Sequence, residues 1–482
     1  MKSSAGTEAL VALEDEAPDS LFARLPDSDV AVWPQLRWPL ATSSAEVEWD
    51  AQAVPGSVSL VSSALRFPGT QLPRATSALR IPHDRDVLFI TSGTTFTRTD
   101  NGIRNWLTDG FAEVLGDRGI TLQDRPLSRG SSTPATATAT YSFDGALHRA
   151  HARGLLTPLS GRDRVAASSA IRDIYRHFDF PVDESRRLTK ERQVIQRLRR
   201  APYLKREMER VLDRVRPKVV VMQGAAYGSR ASAIALMKER GIAVVEPQHG
   251  WIGPSHGAYN FGRAMATPEL SQYLPDHLLT FGTFWSEQIR FPAPTTPIGK
   301  PELWDAARGV RAKNGGPQVL VVSSVHRPEE ATRRVLAIRD ALPADWCVIF
   351  RPHPSERTTI RDRYPDLVCA DRVTFDQNLN VYDSLTDSSA VIGVASTVLY
   401  EALALGRKVI VLSSPIADQY LPPGLFGEPI ASTKSIQAAM ERIQDQSIDA
   451  SPHPQALIDS FWTPEPVENF KRFITPLLTI VD

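Results

Sequence analysis

Short apolar runs that end in small or polar residues recur along this chain, and helical spacing follows most of them. Asp86-Val-Leu-Phe-Ile-Thr91 is the first such run. It gives way to Ser92-Gly93-Thr94-Thr95 and then to a helical pattern from about Ile103 to Leu115. Lys218-Val-Val-Val-Met222 repeats the design, with Gly224 behind it and a helix over about Ser229 to Arg240. Ala243-Val-Val-Glu246 ends on Pro247-Gln248-His249-Gly250, and His277-Leu-Leu-Thr-Phe281 is closed by Gly282. Strands separated by helices of roughly ten to fifteen residues predict parallel βαβ units.

Pro292, Pro294, Pro297 and Pro301 then punctuate the chain, which favours extended backbone and a linker. A second α/β series follows. Val319-Leu-Val-Val322 ends at Ser323-Ser324, with a helix near Glu329 to Leu342. Cys347-Val-Ile-Phe350 ends at Arg351-Pro352-His353-Pro354. Ala390-Val-Ile-Gly393 leads to Ser396-Thr397 and a helix through Leu405, and Val409-Ile-Val-Leu412 is the last strand. The expected organisation is an irregular extension over 1–80, a first domain over 81–291, a linker over 292–302, a second domain over 303–460 and a closing helix over 461–482. That last segment, apolar-periodic from Phe461 to Leu478, is expected to pack back across the first domain. Two parallel sheets joined by a hinge would face each other across a cleft, with ligands at the carboxyl ends of the strands.

Composition narrows the class. A chain of 482 residues exceeds the size at which one core keeps growing. Lys+Arg and Asp+Glu both total 55, so no global field draws in nucleic acid, and anion binding must come from local sites. The two cysteines, Cys347 and Cys369, form no CxxC pattern, which fits a reducing cytoplasm. No apolar stretch approaches the roughly 20 residues of a membrane span. The segment 186–218 is dense in Lys and Arg, with Val194, Leu198, Leu204, Met208, Val211, Leu212 and Val215 near helical spacing. It reads as an amphipathic helix pair broken at Pro202, with peripheral contact to anionic lipid as the sharper alternative.

Three loops of the second half leave the same sheet edge and can converge on one ligand. Ser396 and Thr397 open a helix, whose free N–H groups and positive dipole end suit a phosphate, although Ser is also an ordinary N-cap. Ser323 stands at the end of its own strand, and the prolines around His353 hold the imidazole in one direction. Arg351 is a ligand contact or a loop anchor. Glu401, one turn into the helix, is a candidate for a ribose hydroxyl or a solvated carboxylate. In the first half His249, beside Gly250, has room for close approach by a substrate and titrates near neutrality. Asp100 is the rival base. There is no Gly-Lys-Ser/Thr phosphate loop, GxGxxG or HExxH, so no resident cofactor and no metal site is expected.

Gln-His249-Gly, Thr280-Phe-Gly282, Gly299-Lys-Pro301, Arg351-Pro-His353-Pro, Ser396-Thr397 and Glu401-Ala-Leu together resemble bacterial GT-B transferases of surface-polysaccharide biosynthesis. That set includes capsule Kdo transferases, polysialyltransferases and CDP-glycerol glycerophosphotransferases. The resemblance spans roughly Lys218 to Leu412 and implies two Rossmann-type domains with a nucleotide-activated donor (CMP-, CDP- or UDP-linked). A glycan or lipid-linked acceptor completes the implied reaction. It places the cytidine nucleotide and its phosphate on His353, Ser396 and Thr397 without a metal, and gives His249 a catalytic role, although Gln248 stands where those glycerophosphotransferases carry Trp. The alternatives are a nucleotide-sugar 2-epimerase of the same architecture and a non-catalytic scaffold of a polysaccharide assembly complex.

Overall fold

The computed structural model describes residues 1, 3–48, 81–92, 95–99, 102–124, 139–309, 316–323, 327–353, 356–357, 359–378, 380–431, 433–444 and 453–479. The chain divides into two units. An N-terminal unit takes Ser3–Thr280, Trp285–Ile298 and Val467–Asp482, and a C-terminal unit takes Met1–Lys2, Phe281–Phe284 and Gly299–Pro466.

The strands of the N-terminal unit are β1 (Val87–Thr91), the hairpin β2 (Phe96–Thr99) and β3 (Gly102–Asn105), β4 (Gly119–Gln123), β5 (Ala139–Ser142), β6 (Val219–Met222), β7 (Ala243–Pro247), β8 (His277–Thr280) and β9 (Thr295–Pro297). All but the hairpin form a parallel sheet in the order β5-β4-β1-β6-β7-β8-β9. β6, and β1 up to Thr91, are apolar because both faces of a parallel sheet are covered. Alternate residues serve two cores. Leu88, Ile90, Val220 and Met222 pack with Met208, Val211 and Leu212 of the helix Glu184–Val215. Val87, Phe89, Val219 and Val221 pack with Phe111, Phe470, Ile474 and Leu478.

The C-terminal unit holds β10 (Gly316–Val322), β11 (Cys347–Arg351), β12 (Val373–Phe375), β13 (Ser388–Gly393) and β14 (Lys408–Val411), parallel in the order β12-β11-β10-β13-β14. Its core joins Val319, Val321, Phe350 and Ile392 to Val335, Ile338, Tyr364 and Met440. Each unit is thus the Rossmann-type parallel α/β sheet that the alternation predicts. In both, the first strand lies in the interior of the sheet, and chain order reverses beside it, between β1 and β6 and between β10 and β13. Open α/β sheets bind ligands at that point.

Four expectations need correction. The stretch 1–80 is not wholly irregular: helices Ala5–Glu16 and Trp33–Glu48 bury Leu10, Leu13, Leu36 and Leu40. Buried Glu14 bonds Arg37 Nε at 2.6 Å, Trp33 Nε1 at 3.0 Å and the Gly262 N–H at 2.8 Å, which ties both helices to the unit. Proline content misleads there: Pro34 sits in a first helical turn, where no N–H is needed, and Pro39 lies inside the helix without ending it. Residues 49–80 lie outside the described residues. The helix expected over 103–115 is shorter, Asp109–Leu115, because β3 occupies its start. Glu184–Val215 runs unbroken through Pro202. Its apolar stripe lies buried in the protein, so that face is not available to a lipid surface. The proline-rich stretch supplies β9 and the start of the helix Pro301–Gly309 rather than a bare linker. Over 461–482 the helix is Pro466–Thr479, and its Phe470, Ile474 and Leu478 join the N-terminal core. No helix among the described residues is long and apolar enough to cross a membrane.

Candidate functional site

In the C-terminal unit the loops after β10, β11 and β13 carry the predicted residues. Ser323 donates its N–H to the Arg351 carbonyl at 3.0 Å, and its Oγ lies 3.2 Å from the Tyr364 hydroxyl. Tyr364 donates to Glu356 Oε1 at 2.6 Å, Arg363 Nε donates to the same oxygen at 3.1 Å, and Glu356 Oε2 accepts the His353 N–H at 2.9 Å. Buried Glu356 therefore fixes the backbone of the His353 loop, while the imidazole stays exposed. Pro354 lies outside the described residues.

Arg351 is turned inward. Its guanidinium pairs with buried Asp376 and donates to the Asn378 carbonyl at 3.0 Å, so it anchors the loop. Ser396 caps the helix Thr397–Ala404, its Oγ accepting the Val398 N–H at 3.2 Å, and Thr397 is the first helical residue. The positive end of that helix lies at the switch point beside Ser323. Glu401 is neither solvated nor open to a ligand. It is 2 % exposed and pairs with Lys300 Nζ at 3.1 Å. The rings of Phe281, Tyr382 and Trp462 surround that ammonium at 5.5–5.9 Å.

In the N-terminal unit the strand ends gather a second set. Glu246, fully buried on β7, accepts the Ala226 N–H at 2.7 Å and the Tyr259 hydroxyl at 2.7 Å. Loss of hydration raises its carboxyl to about 7, against the opposing pull of those hydrogen bonds and of nearby Arg230. His249 Nδ1 lies 3.4 Å from the Tyr259 hydroxyl and 4.0 Å from Glu246. Its ring is 22 % exposed, and burial of the rest pushes the imidazole down to about 4. His256 accepts the Ala258 N–H on Nδ1 at 3.2 Å, so the neutral ring carries its proton on Nε2, 3.3 Å from the Tyr227 hydroxyl. Burial first, and the neighbouring His249 second, push His256 to about 3.

Trp38 closes this cluster, its ring 4.4 Å from Tyr227 and stacked on His256 at 5.9 Å. Gly228 permits that approach: it has a φ of 75°, and a Cβ there would fall 1.9 Å from the Pro34 carbonyl. Asp100, the rival base, lies outside the described residues. The sequence reading passed over Glu246, Tyr227, Tyr259 and Glu356. A carboxylate inside the apolar run Ala243-Val-Val-Glu246 was the available signal for the first.

No protein-family model matches the sequence, and no curated protein matches it. Among solved structures, the chain is similar to the UDP-GlcNAc 2-epimerase of Methanocaldococcus jannaschii in complex with UDP-GlcNAc and UDP. The identity is 12% over 81% of this chain and 99% of that one, with a TM-score of 0.46. It is also similar to the UDP-N-acetylglucosamine 2-epimerase of Rickettsia bellii, at 12% identity over 82% and 96% and a TM-score of 0.43. The Neisseria meningitidis UDP-GlcNAc 2-epimerase bound to UDP-GlcNAc matches at 11% over 82% and 99%, with a TM-score of 0.39. With identities this low and TM-scores below 0.5, the chemistry of this chain is read from its own residues.

Proposed function

We propose that this chain is an enzyme acting on a nucleotide-activated sugar. The C-terminal unit carries groups suited to nucleotide phosphates at the Ser396–Thr397 helix end, with His353 as a further donor and Ser323 beside it, and the N-terminal unit carries acid–base groups at its own strand ends. Glu246 carries the reading. A carboxyl group buried among apolar neighbours, raised to about 7 and wired through Tyr259 to the partly exposed His249, stores a proton that side-chain chemistry near neutral pH can use. His249 alone, at about 4, is a weak base. Its place at the rim makes it the group that meets the substrate, with Glu246 behind it as the proton reservoir.

Two reactions fit. Epimerisation at the sugar carbon next to the anomeric centre takes the C2 proton from one face as the C1–O bond to the nucleotide breaks, and returns a proton to the other face as that bond forms again; the Glu246–Tyr259–His249 set would act on one of those faces. A group that can both take and give a proton near pH 7 suits such a reversible exchange, which makes 2-epimerisation the first reading. The second is transfer to a hydroxyl of a glycan or lipid-linked acceptor, in which the same cluster only removes a proton. It is favoured by the Arg351-Pro-His353-Pro and Ser396-Thr397 resemblance.

Incubation of the protein with UDP-GlcNAc alone in heavy water, followed by proton NMR, separates them. Epimer formation with deuterium at C2, lost at least a hundredfold in Glu246→Gln with UDP binding intact, is the expected result. Sugar transfer that requires an added acceptor, with no deuterium uptake, replaces it with the second reading. Saturable binding of no nucleotide at all overturns both.

A further inference from the structure

A neutral imidazole has one N–H and one bare nitrogen, and the hydrogen bond made at one nitrogen decides what the other offers. His256 is settled in this way. Its Nδ1 accepts the Ala258 N–H at 3.2 Å, so its single proton sits on Nε2 and faces the Tyr227 hydroxyl oxygen at 3.3 Å. The His249 ring has no such fixed donor. Its Nδ1 lies 3.4 Å from the Tyr259 hydroxyl, a group that can donate to it or accept from it. Its Nε2 bonds no other side chain among the described residues and reaches solvent.

The Tyr259 hydroxyl is therefore the point at which proton positions are exchanged. It lies 2.7 Å from Glu246 Oε1, while the Ala226 N–H holds Oε2 at 2.7 Å. Tyr227, its ring edge-on to Tyr259 at 6.1 Å, also bonds that hydroxyl. A proton leaving Tyr259 on that side cannot enter His256, whose Nε2 is already protonated. The charged groups that face the set are Arg230 beside Glu246 and Arg37 beside His256. Arg230 pairs with Asp124 at 3.4 Å and Arg37 with buried Glu14 at 2.6 Å, and a guanidinium exchanges no proton near neutral pH. The Pro247 carbonyl is the other acceptor near the His249 ring. Direct protonation of His249 is a poor route: with the imidazole at about 4, roughly one ring in a thousand is charged at pH 7.

We propose that Tyr259 is a proton shuttle that ties the charge state of Glu246 to the tautomer of His249, so that His249 serves as base and as acid without becoming charged. The proposal deepens the acid–base reading of the previous subsection and rests on it. With Glu246 ionised, Tyr259 donates to Oε1, the Tyr259 oxygen accepts Nδ1–H of His249, and Nε2 presents a lone pair. When Nε2 takes a proton, the Nδ1 proton passes to the Tyr259 oxygen and the Tyr259 proton passes to Oε1. Glu246 is then neutral, and His249 carries its one proton on Nε2. Giving a proton back from Nε2 runs the same transfers in reverse.

The test is long-range proton–nitrogen NMR of the full chain labelled with nitrogen-15 in its ten histidines, without ligand, from pH 5.5 to 8.5. Ring nitrogens that carry a proton, are bare or belong to a charged ring are told apart by their shifts. His249→Gln and His256→Gln assign the two rings. His256 is expected to remain neutral with its proton on Nε2 throughout. His249 is expected to remain neutral but to change from Nε2–H at low pH to Nδ1–H at high pH, with a midpoint near 7. Tyr259→Phe abolishes that change while His249 stays neutral. If Tyr259→Phe does not fold, Glu246→Gln, which cannot ionise, decides by the same criterion. A single His249 tautomer at every pH, as the Pro247 carbonyl alone would hold, overturns the proposal. So does a charged His249 above pH 6, or a tautomer change that persists in Tyr259→Phe. The two readings fail separately: a tautomer change without turnover of any nucleotide sugar sinks the earlier one, and turnover with a fixed tautomer sinks this one.

Discussion

Burial moves Glu246 and the two histidines beside it in opposite directions, and their share of the pH dependence of stability is the sum of the two effects. Unfolded, His249 and His256 titrate near 6.5; folded, they sit at about 4 and about 3. Their contribution is complete above pH 6.5 and is lost as the pH falls toward 3. Glu246 moves from 4.5 unfolded to about 7, so its contribution is complete below pH 4.5 and is lost as the pH rises through 7. Between those limits the unfolded chain holds two protons on the histidines where the folded chain holds one on Glu246. Their share of the pH dependence is therefore one proton, a gain of about 1.4 kcal/mol per unit as the pH rises. Urea denaturation from pH 5 to 6 is expected to show the slope of His256→Gln lower than that of the wild type by about that amount, and an unchanged slope rules the assignment out. The Lys300–Glu401 pair makes a second prediction. Lys300→Met leaves a buried carboxylate unpaired and is expected to cost about 3–5 kcal/mol in the same assay, with much of the loss recovered in Lys300→Met/Glu401→Gln. His249 could be picked out in the sequence because a neighbouring glycine and a strand end mark it. Glu246 carries only the fainter mark of a carboxylate ending an apolar run, because what sets it apart is burial, which Tyr259 and the loop at Ala226 complete from other parts of the chain.

The helix Glu184–Val215 shows what element-scale patterning conveys and what it misses. Val194, Leu198, Leu204, Met208 and Val211 are buried as their spacing requires, yet Pro202 does not end the helix. Tertiary packing of that stripe outweighs the missing N–H and the clash of the ring. Pro202→Ala restores one backbone hydrogen bond and is expected to stabilise the protein, by at most about 3 kcal/mol. Thermal unfolding measures it, and a loss of stability would show that the ring itself packs. The central strands β1, β6 and β10 were legible as apolar runs because helices cover both faces. β4, as Gly119-Ile-Thr-Leu-Gln123, and β5, as Ala139-Thr-Tyr-Ser142, mix polar with apolar residues and give no such signal. β9 was hidden by its proline. It pairs with β8 alone at the sheet edge, where a strand tolerates a residue without an N–H.

For the molecule as a whole, the order of the chain does not follow its units. Helix Pro466–Thr479, almost the last described segment, buries Phe470 completely among residues of β1 and β6. The N-terminal unit is therefore completed only by residues that follow the whole C-terminal unit, while the C-terminal unit has its own core from Val319 to Met440. Two cores imply that a ligand and a core mutation can act on different unfolding events. Phe470→Ala is expected to destabilise the N-terminal unit by about 3–5 kcal/mol. UDP at a hundredfold excess over its dissociation constant adds about 2.7 kcal/mol to whichever unit holds it. Scanning calorimetry of wild type and Phe470→Ala, with and without UDP, should therefore show the nucleotide raising the transition that Phe470→Ala leaves in place. A UDP-dependent rise confined to the transition that Phe470→Ala lowers would move the nucleotide away from Ser396 and onto the N-terminal strand ends.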